Sequence, residues 1–161
     1  MLHLFDYFDK ELIFLDFECD NQINFFGKMY KILEERGDVK DSFLNSIIER
    51  EKEFPTGLDL GKYKIAIPHT NSEHVNAEKI IFIRNKEKII FRDMGLDLND
   101  LKTDFIFLLL VKNNGRQIQI LEQLMNLLTD EEILLKLEKA KDKEEVYKLF
   151  EDKISKQEEK L

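Results

Sequence analysis

A single cysteine, Cys19, stands in the whole chain, so no internal disulfide and no cysteine-built metal site is available. Such usage suits a reducing compartment, and a cytoplasmic location is expected. Long apolar runs are missing as well. The longest, from Phe105 to Val111, is far too short to span a bilayer. The opening Met1-Leu2-His3-Leu4-Phe5-Asp6 lacks the basic and apolar regions of a signal peptide. No direct membrane insertion is therefore expected. Basic excess is also absent: 25 Lys and Arg against 33 Asp and Glu leave a net charge of −8. That disfavours nucleic acid, whose phosphates need a basic footprint, but it is compatible with docking on a basic protein surface.

What is present supports a folded domain. The 43% hydrophobic content, with thirteen Phe, is enough for a core, and the charged residues are mixed in sign. At 161 residues the chain is read as one domain, 1–161, with the polar stretch 153–161 as a frayed tail.

Periodicity gives the elements. Residues 1–11 are ambiguous. Residues 12–17 read as a strand. Asp20 or Asn21 caps a helix carrying Ile23, Phe26, Tyr30 and Leu33, and Gly37 suits its C-terminus. A second helix opens at Asp41, shows Phe43, Leu44, Ile47 and Ile48 on one stripe, and ends before Pro55. Residues 79–84 and 88–91 read as a strand pair across a tight turn. Residues 104–112 are the best buried-strand candidate. A helix stripe follows through Ile118, Leu121, Leu124, Met125 and Leu128. Thr129 and Glu132 are spaced as a capping box for the next helix, and Asp142 opens the last one. Strands and helices alternate, so an α/β fold is expected: a mixed β-sheet flanked by helices.

The segment from Arg50 to Val75 breaks this regularity. It holds both prolines, two of the six glycines and two of the three histidines. Ile65-Ala66-Ile67 reads as a short strand that stops on Pro68 and presents His69 at its end, where α/β proteins tend to place working groups. Thr70 and Glu73 are spaced as another capping box, so a short helix with free backbone donors is expected directly after His69. Arg50, at the end of the preceding helix, offers a planar cation to the same place. A histidine so furnished fits two chemistries: nucleophilic attack on phosphorus, or acid–base catalysis on an anionic substrate.

The stretch R-E-x-E-F-P-T-G followed by A-I-P-H resembles the type-2 enzyme IIA family of the bacterial phosphoenolpyruvate-dependent sugar phosphotransferase system, the fructose/mannitol superfamily. It is most similar to the galactitol type, which has a further histidine five residues after the first, here His74, a candidate for the phosphoryl pocket by that likeness. The resemblance implies that His69 accepts a phosphoryl group from phospho-HPr and passes it to an enzyme IIB cysteine, with the IIC membrane component reached only indirectly. It implies that Arg50 neutralises the phosphoryl group, that Thr56 and Gly57 shape the pocket, and that helices flank the sheet on both faces. No cofactor and no metal is implied.

The chain departs from the family pattern in two places. Gln117 stands where fructose and mannitol types have a second active-site histidine; its amide can donate a hydrogen bond but cannot carry charge. Thr70 replaces the usual small residue after the histidine, and its hydroxyl is a candidate for capping or for phosphate. A regulatory module signalling through its phosphorylation state is the alternative function. Cys19 is read as inert, and Glu51 and Glu53 as residues solvating a helix end, with Glu53 a candidate to orient Arg50.

Overall fold

Which residues face which side of the sheet decides this fold, because strand side chains alternate. The structure, a computed structural model, describes residues 2–95 and 97–159. Its central strands are β4 (Lys79–Asn85) and β7 (Phe105–Leu110). Ile80 and Phe82 of β4 join Phe105, Phe107 and Leu109 of β7 in one core, while Ile81, Ile83, Ile106, Leu108 and Leu110 enter another. Both faces of both strands are thus apolar, and each face needs a helical cover. α1 (Gln22–Arg36) and α2 (Phe43–Glu53) cover one with Phe25, Phe26, Met29, Leu33, Phe43 and Ile47. α3 (Asn114–Leu128), α4 (Glu131–Lys139) and α5 (Lys143–Glu159) cover the other with residues that include Leu124, Leu137 and Phe150. The expected mixed sheet with helices on both faces is what forms.

The sheet has five strands in the order β1-β4-β7-β3-β2, with β1 at Phe8–Phe17, β2 at Gly57–Asp59 and β3 at Lys64–Ala66. β1 runs parallel to β4, and β3 parallel to β7, while β4–β7 and β2–β3 are antiparallel. The expected hairpin over 79–92 does not form. β4 spends both edges on β1 and β7, and β5 (Ile90–Arg92) pairs instead with β6 (Asp100–Lys102) in a separate two-stranded sheet. A strand buried on both faces is a central strand, which needs two partners rather than one turn-linked neighbour.

Several termini also differ from expectation. β1 begins at Phe8 within the ambiguous stretch, preceded by a 3-10 turn at Leu4–Tyr7. Thr129 ends α3, its hydroxyl donating to the Asn126 carbonyl at 2.8 Å. Asp130 caps α4 by accepting from the Glu132 amide at 2.8 Å. The aspartate takes the cap position that a threonine fills less well. α5 runs through 153–159 to Glu159, with Ile154 buried in the core. Positions 160–161 of the expected tail lie outside the described residues. Asn21 and Gly37 cap α1 as expected, the latter at φ 82° with its N–H on Glu34.

Arg84 of β4 closes the end of α4. Its Nη1 donates to the carbonyls of Leu137 at 2.9 Å, Glu138 at 3.2 Å and Ala140 at 2.8 Å. These are carbonyls that a helix C-terminus leaves without partners. Arg84→Met is expected to cost about 1–3 kcal/mol in urea denaturation. A change within experimental error would show that water serves these carbonyls equally well. No helix among the described residues is long and apolar enough to cross a membrane.

Candidate functional site

β3 ends at Ala66, and the chain stays beside β7 for three more residues. The Leu109 amide donates to the Pro68 carbonyl at 3.0 Å, and His69 forms a parallel bridge with Leu109. Pro68 has no N–H to give the ladder, so the regular strand does not continue through it and His69 sits just beyond the strand's end. His69 is half-buried. Its Nδ1 lies 2.8 Å from the Ile67 carbonyl. A carbonyl only accepts, so Nδ1 carries the proton and Nε2 keeps its lone pair.

Burial pushes the His69 pKa below the ordinary histidine value. The hydrogen bond to Ile67 opposes this shift, and the Arg50 charge adds to it. The imidazole is therefore neutral at pH 7. Arg50 comes from the last turn of α2, where its guanidinium lies 4.6 Å from the centre of the Phe54 ring. Stacking on that ring restricts a long side chain near His69 without consuming its charge.

Thr56 and Gly57 hold the corner between α2 and β2. Thr56 is buried; its carbonyl accepts from the Ile67 amide at 3.3 Å, and its other two polar groups go to Glu51. Gly57 sits so close to the next segment that an added Cβ would lie 2.4 Å from the Arg92 carbonyl oxygen. Its own carbonyl accepts from the Met94 amide at 2.8 Å, which ties this segment down.

The expected helix directly after His69 is reduced to a 3-10 turn at Ser72–His74, and Asn71 precedes it without a side-chain cap. Thr70 is not its cap. The Thr70 hydroxyl is instead hydrogen-bonded to the Ser46 hydroxyl on α2, and Asn71 holds the position before the turn. The Thr70 carbonyl accepts from Gln117 Nε2 at 3.2 Å, so Gln117, in the first turn of α3, grips the backbone just after His69. His74 lies apart. Its Nδ1 meets Ser42 Oγ at 2.8 Å, at the start of α2, while Arg50 is in the last turn. Eight residues of helix separate the two by about 12 Å along its axis. The structure thus gathers His69, Arg50, Thr56, Thr70 and Gln117 around one short segment, and puts His74 at the other end of α2.

Sequence reasoning missed two participants. Ser46 is one, as the partner of Thr70. Glu51 is the other: the solvated helix-end residue expected there is buried, at 4% exposure. Burial raises its pKa to about 7 against the two hydrogen bonds from Thr56, which lower it. The signal was available, since Glu51 continues the Phe43–Ile47 stripe by one more step of four. Among the described residues, no group of three or more His, Cys, Asp and Glu could hold a metal ion.

The profile of the family described as "Phosphoenolpyruvate-dependent sugar phosphotransferase system, EIIA 2" matches residues 6–153. The galactitol-specific EIIA component of Escherichia coli K12 is 33% identical over 99 residues, covering 62% of this chain and 65% of that protein, so the match spans just under two-thirds of the relative. The mannitol-specific IIA component of Mycoplasma pneumoniae is 31% identical over 136 residues, covering 83% and 87%. Among solved structures, the Escherichia coli complex of enzyme IIAMtl with phosphorylated enzyme IIBMtl superposes with a TM-score of 0.72 at 25% identity, covering 90% of this chain and 99% of that one. The nitrogen regulatory protein IIA-Ntr of Neisseria meningitidis superposes at 0.69 with 24% identity, covering 91% and 97%. With nearly all of its sheet and helices inside the matched span, the chain belongs to the type-2 enzyme IIA family of the phosphoenolpyruvate-dependent sugar phosphotransferase system.

Proposed function

We infer that this protein is a phosphocarrier of a sugar or polyol phosphotransferase system. It takes a phosphoryl group from phospho-HPr onto Nε2 of His69 and gives it to a cysteine of enzyme IIB. The observation that carries the reading is the Nδ1–H bond to the Ile67 carbonyl, which leaves the Nε2 lone pair free on a neutral ring. Nε2 attacks phosphorus in line as the P–N bond to the HPr histidine breaks, and the HPr imidazole departs with the electron pair. The ring then becomes a phospho-imidazolium that keeps its Nδ1 proton on Ile67. In the second step the cysteine thiolate attacks phosphorus and the P–Nε2 bond breaks, which restores the neutral ring.

Phosphoryl transfer needs positioning and charge neutralisation more than covalent help. Arg50 is the cation in reach, and the Thr70 and Gln117 contacts fix the backbone beneath the site. Galactitol-type specificity rests on likeness alone. The sugar itself is selected elsewhere, since only a phosphoryl group is handled here. The regulatory alternative uses the same first step and is favoured by the fold shared with IIA-Ntr.

Incubation with phosphoenolpyruvate, enzyme I and HPr is expected to add one acid-labile phosphoryl group. Coupling of phosphorus to the ring nitrogen in 15N-labelled protein should place it on Nε2 of His69. Phosphorylation at Nδ1, or at another residue, would overturn the reading. Onward transfer to an enzyme IIB separates transport from signalling.

A further inference from the structure

Glu51 is a carboxylate in an apolar stripe, on the residue next to Arg50. Burying such a group is unfavourable unless its oxygens are used. Here both are used by one residue. Oε2 accepts the Thr56 amide proton at 2.7 Å, and Oε1 accepts the Thr56 hydroxyl proton at 2.7 Å. The bonds span the Phe54-Pro55 corner, where the chain leaves α2. From Thr56 the connection continues: its carbonyl takes the Ile67 amide at 3.3 Å, and the Ile67 carbonyl takes Nδ1–H of His69 at 2.8 Å. Three successive links therefore join the turn of α2 that bears Arg50 to the ring of His69.

We propose that Glu51 is a positioning residue for phosphoryl transfer, which sets His69 and Arg50 in register through Thr56 and Ile67. The proposal rests on the reading of His69 as the acceptor. Its physical basis is the steep dependence of in-line attack on geometry: a misplacement of about 1 Å can cost roughly a hundredfold in rate. The same clamp extends to the Nδ1–H tautomer, because the residue whose amide Thr56 holds, Ile67, is the one whose carbonyl accepts from His69. The clamp is one of shape rather than charge. Glutamine at position 51 would keep both links, with its carbonyl accepting from the Thr56 amide and its amide donating to the Thr56 hydroxyl oxygen.

The test combines single-turnover transfer from phospho-HPr with 15N chemical shifts of the His69 ring in the full chain. Glu51→Ala is expected to slow acceptance roughly ten- to a hundredfold and to mix the two ring tautomers. Glu51→Gln is expected to stay within about threefold of the parent rate and to keep the Nδ1–H tautomer. Should Glu51→Ala fail to fold, Thr56→Val removes only the hydroxyl link, and a loss of roughly three- to tenfold is expected. A folded Glu51→Ala protein with the parent rate and tautomer would overturn the proposal. So would a Glu51→Gln protein as slow as Glu51→Ala, since charge rather than shape would then be at work. If the parent protein takes up no phosphoryl group, the function proposed above fails, while the ring shifts still decide the role of Glu51.

Discussion

His69→Ala protein is expected to take up no phosphoryl group under conditions that fully phosphorylate the parent chain. Of the three histidines, only His69 combines a ring nitrogen freed by a backbone hydrogen bond with the charge of an arginine acting on it. His74 already has Ser42 on one nitrogen and Glu73 3.5 Å from the other, at the far end of α2. The loss should be complete rather than partial, because no neighbouring group supplies a second nucleophile. Residual label on the variant would show the acceptor to be elsewhere.

The same geometry predicts the pH response of the parent. Burial, reinforced by Arg50, keeps the His69 pKa below 6.5, so the nucleophilic form persists as pH falls from 8 to 6.5. Acceptance should therefore decline toward acid with a midpoint below the ordinary histidine value. A midpoint above 6.5 would contradict the order of effects at the ring. Quench-flow rates across the range, with phospho-HPr in excess, make the measurement.

Gly57→Ala is expected to destabilise the fold by about 2–4 kcal/mol, lowering the thermal midpoint by roughly 5–15 °C. The new methyl would meet the Arg92 carbonyl oxygen at 2.4 Å and its carbon at 2.9 Å. Both are backbone atoms in β5, held by the pairing of β5 with β6 and by the bond from the Met94 amide to Gly57. A flexible side chain could swing aside, but this backbone cannot without opening its own ladder. The displacement would begin beside Thr56, so phosphoryl acceptance should fall in the surviving folded fraction as well. A midpoint within a degree or two of the parent would mean that the 92–94 segment yields easily.

Much of the site was legible because it is local. Arg50, Pro55, Thr56, Gly57 and the run Ala66 to His69 lie within one short segment, and Pro68 marks where the strand must stop. What escaped depended on distant partners. Nothing near Thr70 announces that its hydroxyl will meet Ser46 rather than cap a turn, since helix packing decides that contact. Glu51 was misread because acidic residues at helix ends are usually solvated, although its spacing from Ile47 pointed inward. The fold shows the same division. The apolar run marked β4 as a strand, but pairing is a property of the sheet, and the expected hairpin gave way to a central strand with β1 and β7 on its two edges. β2 and β6 are only three residues long, too short for a pattern to be read.

The bridge between His69 and Leu109 has a kinetic meaning. β3 meets β7 through Ile65 with Phe105 and Ala66 with Ile106, pairings between segments forty residues apart, whereas its other neighbour, β2, lies close by in sequence. Contacts of that separation close late, because the loop entropy is lost before the contact returns anything. His69, the proposed acceptor, is therefore mounted on a long-range seam. A chain with its helices in place but that seam still open would offer no ordered imidazole, so on the proposed function its uptake of a phosphoryl group should require the closed seam.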